Sequence, residues 1–258
     1  MIFRSSMLST FKACPAKACY KYELGLVPYG VKRKKNDLEF GSLVHDAIEK
    51  YHLAGDDLSE ALAFIEGKDI QETKRKNKMT ALALVKRYAQ KCEIKMLAVE
   101  KLFDFPLSDG NTWMGRFDGI GEWNGDLWVI EHKTTNPEYL TFKPNDQFLA
   151  YYIGACYLFG EIKGVYLNNL DCDKLDVRST PITFNRDEVE EWKDEIAATA
   201  EAYATYKRLG IFPRNSGACK MYNSKCCYYP LCSEPEGSRT VIQERCYVVN
   251  EEARKLQW

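Results

Sequence analysis

TWMGRFDGIGEWNGDLWVIEHKTT, residues 112–135, decides how this chain is read. Asn124-Gly125 is a strong hairpin signal, because a two-residue type I′ turn needs positive φ at both of its central positions. With those residues as the loop, Trp123 pairs with Asp126, and Asp118 falls directly opposite Glu131. Opposed side chains of this kind have Cβ atoms about 4.5–5.5 Å apart, so two like charges there repel unless a cation sits between them. Lys133 shares a strand face with Glu131, and His132 points to the other face. The run Leu127–Ile130 predicts a strand covered on both faces. Charges in the continuation of such a strand are costly unless they are paired or bound to metal. Asp118, Glu131 and Lys133 therefore form a candidate metal site. The alternative is a solvent-exposed Glu131–Lys133 pair with Asp118 as a turn residue.

Outward from this hairpin, the spacing predicts helices over 9–22, 38–53, 58–66 and 79–98. In the second of these, Phe40, Leu43, Val44, Ala47, Ile48 and Tyr51 form one apolar stripe, with His45 at its edge. Strands are expected at 100–107, 112–123 and 126–135. A helix follows from Pro144 to Gly160, then strands in IKGVYLNNL (162–170) and LDVRSTPITF (175–184), and an amphipathic helix over 186–209. The tail from 211, rich in Cys, Pro, Asn and Ser, reads as a stapled loop module. Helices, a central sheet and then helix–strand alternation predict an α/β fold.

Composition bounds the function. With 45% hydrophobic residues the chain can bury a core, and a net charge of −1 leaves no global basic field to attract nucleic acid. Such a site has to be local, and the basic runs VKRKKN (31–36) and KRKNK (74–78) could supply one or be solvated loops. No stretch approaches the roughly 18–20 apolar residues of a membrane span, and the N-terminus lacks a signal-peptide core. The expected compartment is the cytoplasm, where thiols stay reduced. Cys219, Cys226, Cys227 and Cys232 clustered near the C-terminus then suggest metal ligation rather than disulfides. Cys92, Cys156 and Cys172 sit in apolar patterns and read as core residues, and Cys246 has no evident role.

Asp118 followed by Glu131-x-Lys133 on adjoining strands resembles the PD-(D/E)XK nuclease superfamily, with Phe117 standing where the motif has its proline. Three further features resemble one clade, the RecB-like nucleases and the related CRISPR-associated adaptation nucleases. GSLVHDAIEKY (41–51) is similar to the clade's helix with a metal-binding histidine, which implies that role for His45. QFLAYY (147–152) is similar to its Gln-x-x-x-Tyr motif, matched by Gln147 and Tyr151, one helical turn apart. FKACPAKACYKY and GACKMYNSKCCYYPLC resemble the one-plus-three cysteine pattern of the clade's iron–sulfur members. The implied ligands are Cys14, Cys219, Cys226 and Cys232, with Cys19 and Cys227 as alternatives to the first and third.

The resemblance implies a restriction-endonuclease-like fold, a central mixed sheet flanked by helices, in a single nuclease domain over 1–258. Within it, 9–22 and 211–235 would together form the cluster-binding module, stapling the Cys-rich tail to the N-terminal helix. The implied activity is metal-dependent hydrolysis of DNA, with an exonuclease acting on ends or single strands expected over an endonuclease. Asp118, Glu131, His45 and the His132 carbonyl would hold Mg²⁺ or Mn²⁺, Lys133 would serve the attacking water, and Gln147 and Tyr151 would support the site. The cysteines would carry a [4Fe–4S] cluster, with zinc as the other occupant of four thiolates. Partners would be DNA and proteins of recombination, repair or CRISPR adaptation, in a bacterial, archaeal or virus-infected cell. Two alternatives stay open: a non-catalytic nucleic-acid-binding protein that keeps the fold and a structural metal cluster, and a His45–Glu49–His52 ligand set.

Overall fold

The computed structural model describes residues 1–29, 35–107, 110–134, 145–221 and 224–251. The chain begins with β1 (Ile2–Phe3), α1 (Ser5–Ala13), α2 (Pro15–Ala18), a π-helical turn (Cys19–Glu23) and β2 (Leu26–Pro28). Three helices follow, α3 (Lys35–Leu53), α4 (Leu58–Gly67) and α5 (Lys78–Lys91). Then come β3 (Lys95–Pro106), β4 (Thr112–Trp123), β5 (Asp126–Lys133), α6 (Asp146–Phe159), β6 (Gly164–Asp171), β7 (Asp176–Ile182) and α7 (Arg186–Leu209). A 3-10 turn (Ser216–Ala218), β8 (Lys220–Met221), β9 (Ser224–Lys225), α8 (Tyr229–Ser233), α9 (Glu236–Cys246) and β10 (Tyr247–Val249) complete the described chain.

The main sheet has the order β1-β4-β5-β6-β7, with β3 also pairing β4. β4–β5 and β6–β7 are antiparallel, while β1–β4 and β5–β6 are parallel. This is the α/β fold that the sequence predicts and the mixed sheet flanked by helices that the resemblance implies. Two compact units divide the chain: Met1–Val31, Pro106–Met114 and Glu190–Trp258 form one, and Lys32–Phe105 with Gly115–Val189 form the other.

In the second unit, the predicted stripe of α3 is buried in full, from Phe40 to Tyr51, against Ala61 and Ile65 of α4 and Ala81, Leu84, Val85 and Tyr88 of α5. Leu170 of β6 and Val177 of β7 close this cluster. β6 is buried from Gly164 to Leu170, as a strand covered on both faces must be. At its first residue a Cβ would overlap the Ile182 carbonyl oxygen of the adjacent strand, which is backbone and cannot swing aside. Gly164→Ala is therefore expected to destabilise the protein by about 3 kcal/mol, the upper end for overpacking a tight site. A urea midpoint equal to the parent's would contradict this account.

The first unit is held by an aromatic core. Trp113 meets Trp192 edge-on, Phe3 and Phe11 pack on Tyr203, and the Tyr203 hydroxyl donates to Glu23 at 2.7 Å. β10 pairs antiparallel with β2, and Leu26, Tyr228, Leu231 and Tyr247 are buried together beside that pair.

Several expected boundaries move. The helix expected over 79–98 ends at Lys91, and residues from Lys95 join the sheet as β3. Gly119 and Gly121 of β4 leave room that Met96 and Ile94 fill, so tertiary pairing overrides a locally helical pattern. The N-terminal helix expected over 9–22 starts at Ser5 and breaks at Cys14, which is extended at φ −162° because Pro15 follows it. The tail forms α9 and β10 rather than loop alone. Cys92, Cys156 and Cys172 are half-buried rather than buried. Residues 31–34 of the first basic run lie outside the described residues, as do 135–144 ahead of α6. Among the described residues, no helix is long and apolar enough to cross a membrane.

Candidate active site

The hairpin that carries the site adopts the expected register. Trp123 pairs with Asp126 and the ladder continues to Gly119–Ile130, with φ of 51° at Asn124 and 81° at Gly125. The ladder stops there, one pair short of Asp118 and Glu131. The expected direct opposition of those two acids is therefore not a ladder pair. Instead the His132 backbone N–H donates to Asp118 Oδ2 at 2.8 Å, so the Asp118 side chain takes the place of a backbone acceptor. Phe117 packs against Tyr151 of α6, while Asp118 meets His45 of α3, with Nδ1 and Oδ2 3.3 Å apart.

Glu131 and His132 continue β5 into the interior and are almost inaccessible, at 1% and 2% exposure. Glu131 Oε1 forms an ion pair with Lys133 and accepts from Gln147 Nε2 at 3.1 Å. Lys133 also donates to Gln147 Oε1 at 3.2 Å, and Gln147 Nε2 donates to the Tyr151 hydroxyl at 2.9 Å. Gln147 sits in the first turn of α6, where the Asn145 side chain caps the helix by accepting from the Gln147 and Phe148 N–H groups. That cap fixes where the glutamine enters the site, and one helical turn brings Tyr151 beneath it. His132 turns the other way, with its ring edge-on to Tyr88 and to His45 and its Nδ1 3.4 Å from Asn168 Nδ2.

These surroundings fix the charges. Burial, then the nearby Asp118 charge, pushes the Glu131 carboxyl up to about 7, against the pull of Lys133. Asp118 goes the other way: its burial is outweighed by the hydrogen bond and charge of His45, which hold it well below the usual carboxylate range. Burial opposes charge on His45 and Lys133, but Asp118 and Glu131 respectively outweigh it and raise both. Burial holds His132 neutral, down at about 3. Burial and the two acids raise Tyr151 far above its ordinary value, so it stays a neutral hydroxyl. One acid is kept ionised and its neighbour poised near neutrality, a separation of roles common in sites built for chemistry.

Glu131 Oε2 is buried with no hydrogen-bond partner. A buried carboxylate oxygen left unmatched is a costly feature that a cation would relieve. Two carboxylates, an imidazole and a backbone carbonyl also form a donor set suited to a hard divalent ion. The residues fit such a group. Among the described residues, however, no three His, Cys, Asp or Glu side chains stand converged as a metal-binding group. Asp118 Oδ2 is engaged by His45 and the His132 N–H, and Glu131 Oε1 by Lys133 and Gln147. The alternative His45–Glu49–His52 set is not assembled, because His52 Nδ1 is 2.6 Å from Asp56 and its Nε2 2.8 Å from the Tyr88 hydroxyl.

Two residues that sequence reasoning missed border the site. Glu100 of β3 lines a small cavity with His45, Glu49, Asp118 and His132, and its carboxylate pairs with Arg116 at 2.6 Å. Arg116 could have been found by strand parity, two residues before Asp118. Glu100 could not, because only the β3–β4 pairing brings it there.

In the first unit, Cys14, Cys219, Cys226 and Cys232 line one cavity of about 300 Å³. Cys19 and Cys227 are not among its lining residues. All ten cysteines are free thiols. The four are not converged as ligands: Cys226 is hydrogen-bonded to Cys227 and lowered to about 6, Cys219 Sγ is 3.8 Å from the Asn215 carbonyl, and Cys232 Sγ is 4.0 Å from the Tyr20 hydroxyl. Four thiols around one cavity nonetheless suit a soft metal or cluster by their chemistry.

A solved structure shares this architecture. A proposed exonuclease from Eubacterium rectale matches with a TM-score of 0.57 at 14% identity, over 84% of this chain and 85% of its own. SSO0001 matches at 17% identity over 83% of this chain and 77% of its own, with a TM-score of 0.39. No curated protein matches. The family model of the PD-(D/E)XK nuclease superfamily matches residues 5–233, a span that takes in both β4 and β5 with their acids and α6 with its glutamine and tyrosine. The chain belongs to the PD-(D/E)XK nuclease superfamily.

Proposed function

We propose that the chain is a metal-dependent deoxyribonuclease of the RecB-like clade, an exonuclease acting on DNA ends or single strands. The observation that carries this reading is Glu131. It is a fully buried carboxylate with one unmatched oxygen, beside an ionised aspartate and clamped by a lysine and a glutamine. Asp118, Glu131, His45 and the His132 backbone carbonyl would hold Mg²⁺ or Mn²⁺. When bound, such an ion would acidify a water and offset charge on the phosphate.

The chain's own groups do the rest. Lys133, kept protonated by Glu131, orients a water and offers its N–H to the oxygens that gain charge as the P–O bond breaks. Gln147 bridges Lys133, Glu131 and Tyr151, which locks the three into one arrangement before substrate arrives. Neutral His132 adds no charge to the interior, while its backbone N–H holds Asp118. The four cysteines around the first unit's cavity are the reading's second element, a structural [4Fe–4S] or zinc site. Recombination, repair or CRISPR adaptation would supply the DNA.

The test is cleavage of 5′- and 3′-labelled single- and double-stranded DNA with Mg²⁺ or Mn²⁺, for the parent and Lys133→Ala. The variant should lose about 10²–10³-fold in turnover, the range for removing one donor to a charged transition state. Equal rates for the two proteins would sink the catalytic reading. DNA binding without cleavage by the parent would favour a non-catalytic nucleic-acid-binding protein.

A further inference from the structure

We propose that Arg116 is a phosphate-binding residue for the DNA strand at this site, and that Glu100 is the positioning residue that holds its guanidinium ready. The inference rests on the nuclease reading and names a contact that the acids and Lys133 do not provide.

Glu49, Glu100 and Asp118 line one small cavity beside the buried Glu131. A polyanion approaching these acids needs cations directed at it. Lys133 is committed to Glu131 and Gln147 and is 23% exposed. His45 is engaged with Asp118. Arg116 is 62% exposed, on the face of β4 shared by Asp118 two residues on, so its guanidinium stands at the solvent side of the same acids. Arginine suits this place, because its planar fork can grip two phosphate oxygens at once.

Glu100 explains why the arginine is ready. Its Oε2 lies 2.6 Å from Arg116 Nε, a charge contact without hydrogen-bond alignment, and with Nε facing the carboxylate the two NH₂ groups can meet a second anion. The backbone at Glu100 has φ of 48°, in the left-handed region that non-glycine residues seldom enter. Such a conformation is strained and persists where surrounding structure holds it. Here it lies where β3 brings the carboxylate to Arg116.

The test pairs binding with kinetics. Anisotropy of a fluorescein-labelled dodecathymidylate in Ca²⁺ is measured from low to high salt for the parent, Arg116→Ala, Arg116→Lys and Glu100→Gln. KM and kcat are measured with Mn²⁺ or Mg²⁺. Arg116→Ala should raise KM by roughly tenfold or more while kcat stays within about threefold, and should reduce the slope of log affinity against log salt by about 0.7, one single-strand phosphate contact. Arg116→Lys should restore the slope but only part of the affinity. Glu100→Gln should raise KM by about threefold with the slope unchanged. A parent-like KM and slope in Arg116→Ala overturns the proposal, as does a parent that does not bind the oligonucleotide. A parent that binds with the predicted slopes but does not cleave would uphold this contact and refute the nuclease reading instead.

Discussion

Glu131→Gln is expected to cut nuclease turnover by about 10³-fold or more, some 4 kcal/mol of transition-state stabilisation. Glutamine keeps the shape and can still meet Gln147, so the fold survives. The charge that would grip a cation is lost, and Lys133 loses its counter-ion.

The same substitution should show itself in stability, measured in chelator. In the native chain Glu131 sits near 7, above its ordinary 4.5, so between those values the native state holds a proton that the unfolded chain has released. Stability on this account falls as pH rises from about 4.5 to 7. His132 acts in the opposite sense. It is held near 3 against an ordinary 6.5, so below 6.5 the unfolded chain takes a proton that the native state refuses, and stability falls as pH drops. The two slopes oppose each other between about 4.5 and 6.5. Glu131→Gln removes one and leaves the other. From pH 6.5 to 5 the variant should therefore lose roughly 2 kcal/mol more than the parent, at about 1.4 kcal/mol per pH unit. Urea denaturation at the two pH values reads this difference directly. Parallel losses in parent and variant would show that these two buried groups do not titrate as argued.

Cys232→Ala is expected to bleach an anaerobically purified, brown protein and to lower its melting temperature by some 10–20 °C. The four cysteines that line the first unit's cavity come from distant parts of the chain, Cys14 on one side and Cys219 to Cys232 on the other. A cluster joining them closes a loop of roughly 200 residues, and the chain-entropy model sets the value of such a closure at about 5 kcal/mol. At this chain length each kcal/mol moves the melting temperature by about 2–4 °C. Cys227→Ala serves as the contrast, since Cys227 is exposed and does not line the cavity. It should keep both colour and stability. A colourless parent carrying one zinc would replace the cluster with a zinc site, and a Cys232→Ala protein as stable as the parent would remove the staple altogether.

Features that depend on neighbouring residues were legible before any tertiary contact. Asn124-Gly125 set the hairpin and its register, since few residues tolerate positive φ at both turn positions. The apolar stripe of α3 and the Leu-Trp-Val-Ile run of β5 were legible because burial imposes a period of 3.6 or hides both faces. The site's chemistry was legible too, as charged residues written into a strand with no exposed face.

What those charges meet was set by the packing of distant segments. The ladder ends before Asp118, whose carboxylate takes the His132 N–H and turns to His45, while Glu131 turns to α6. Residues 95–98, locally helical in pattern, become β3 because Gly119 and Gly121 leave space beside β4. That strand then carries Glu100 to Arg116, a contact between residues 16 positions apart that no local pattern encodes. The division has a physical cause. Turn geometry and amphipathic period are properties of a few consecutive residues, whereas the partner of a buried charge is chosen by whichever distant segments pack around it.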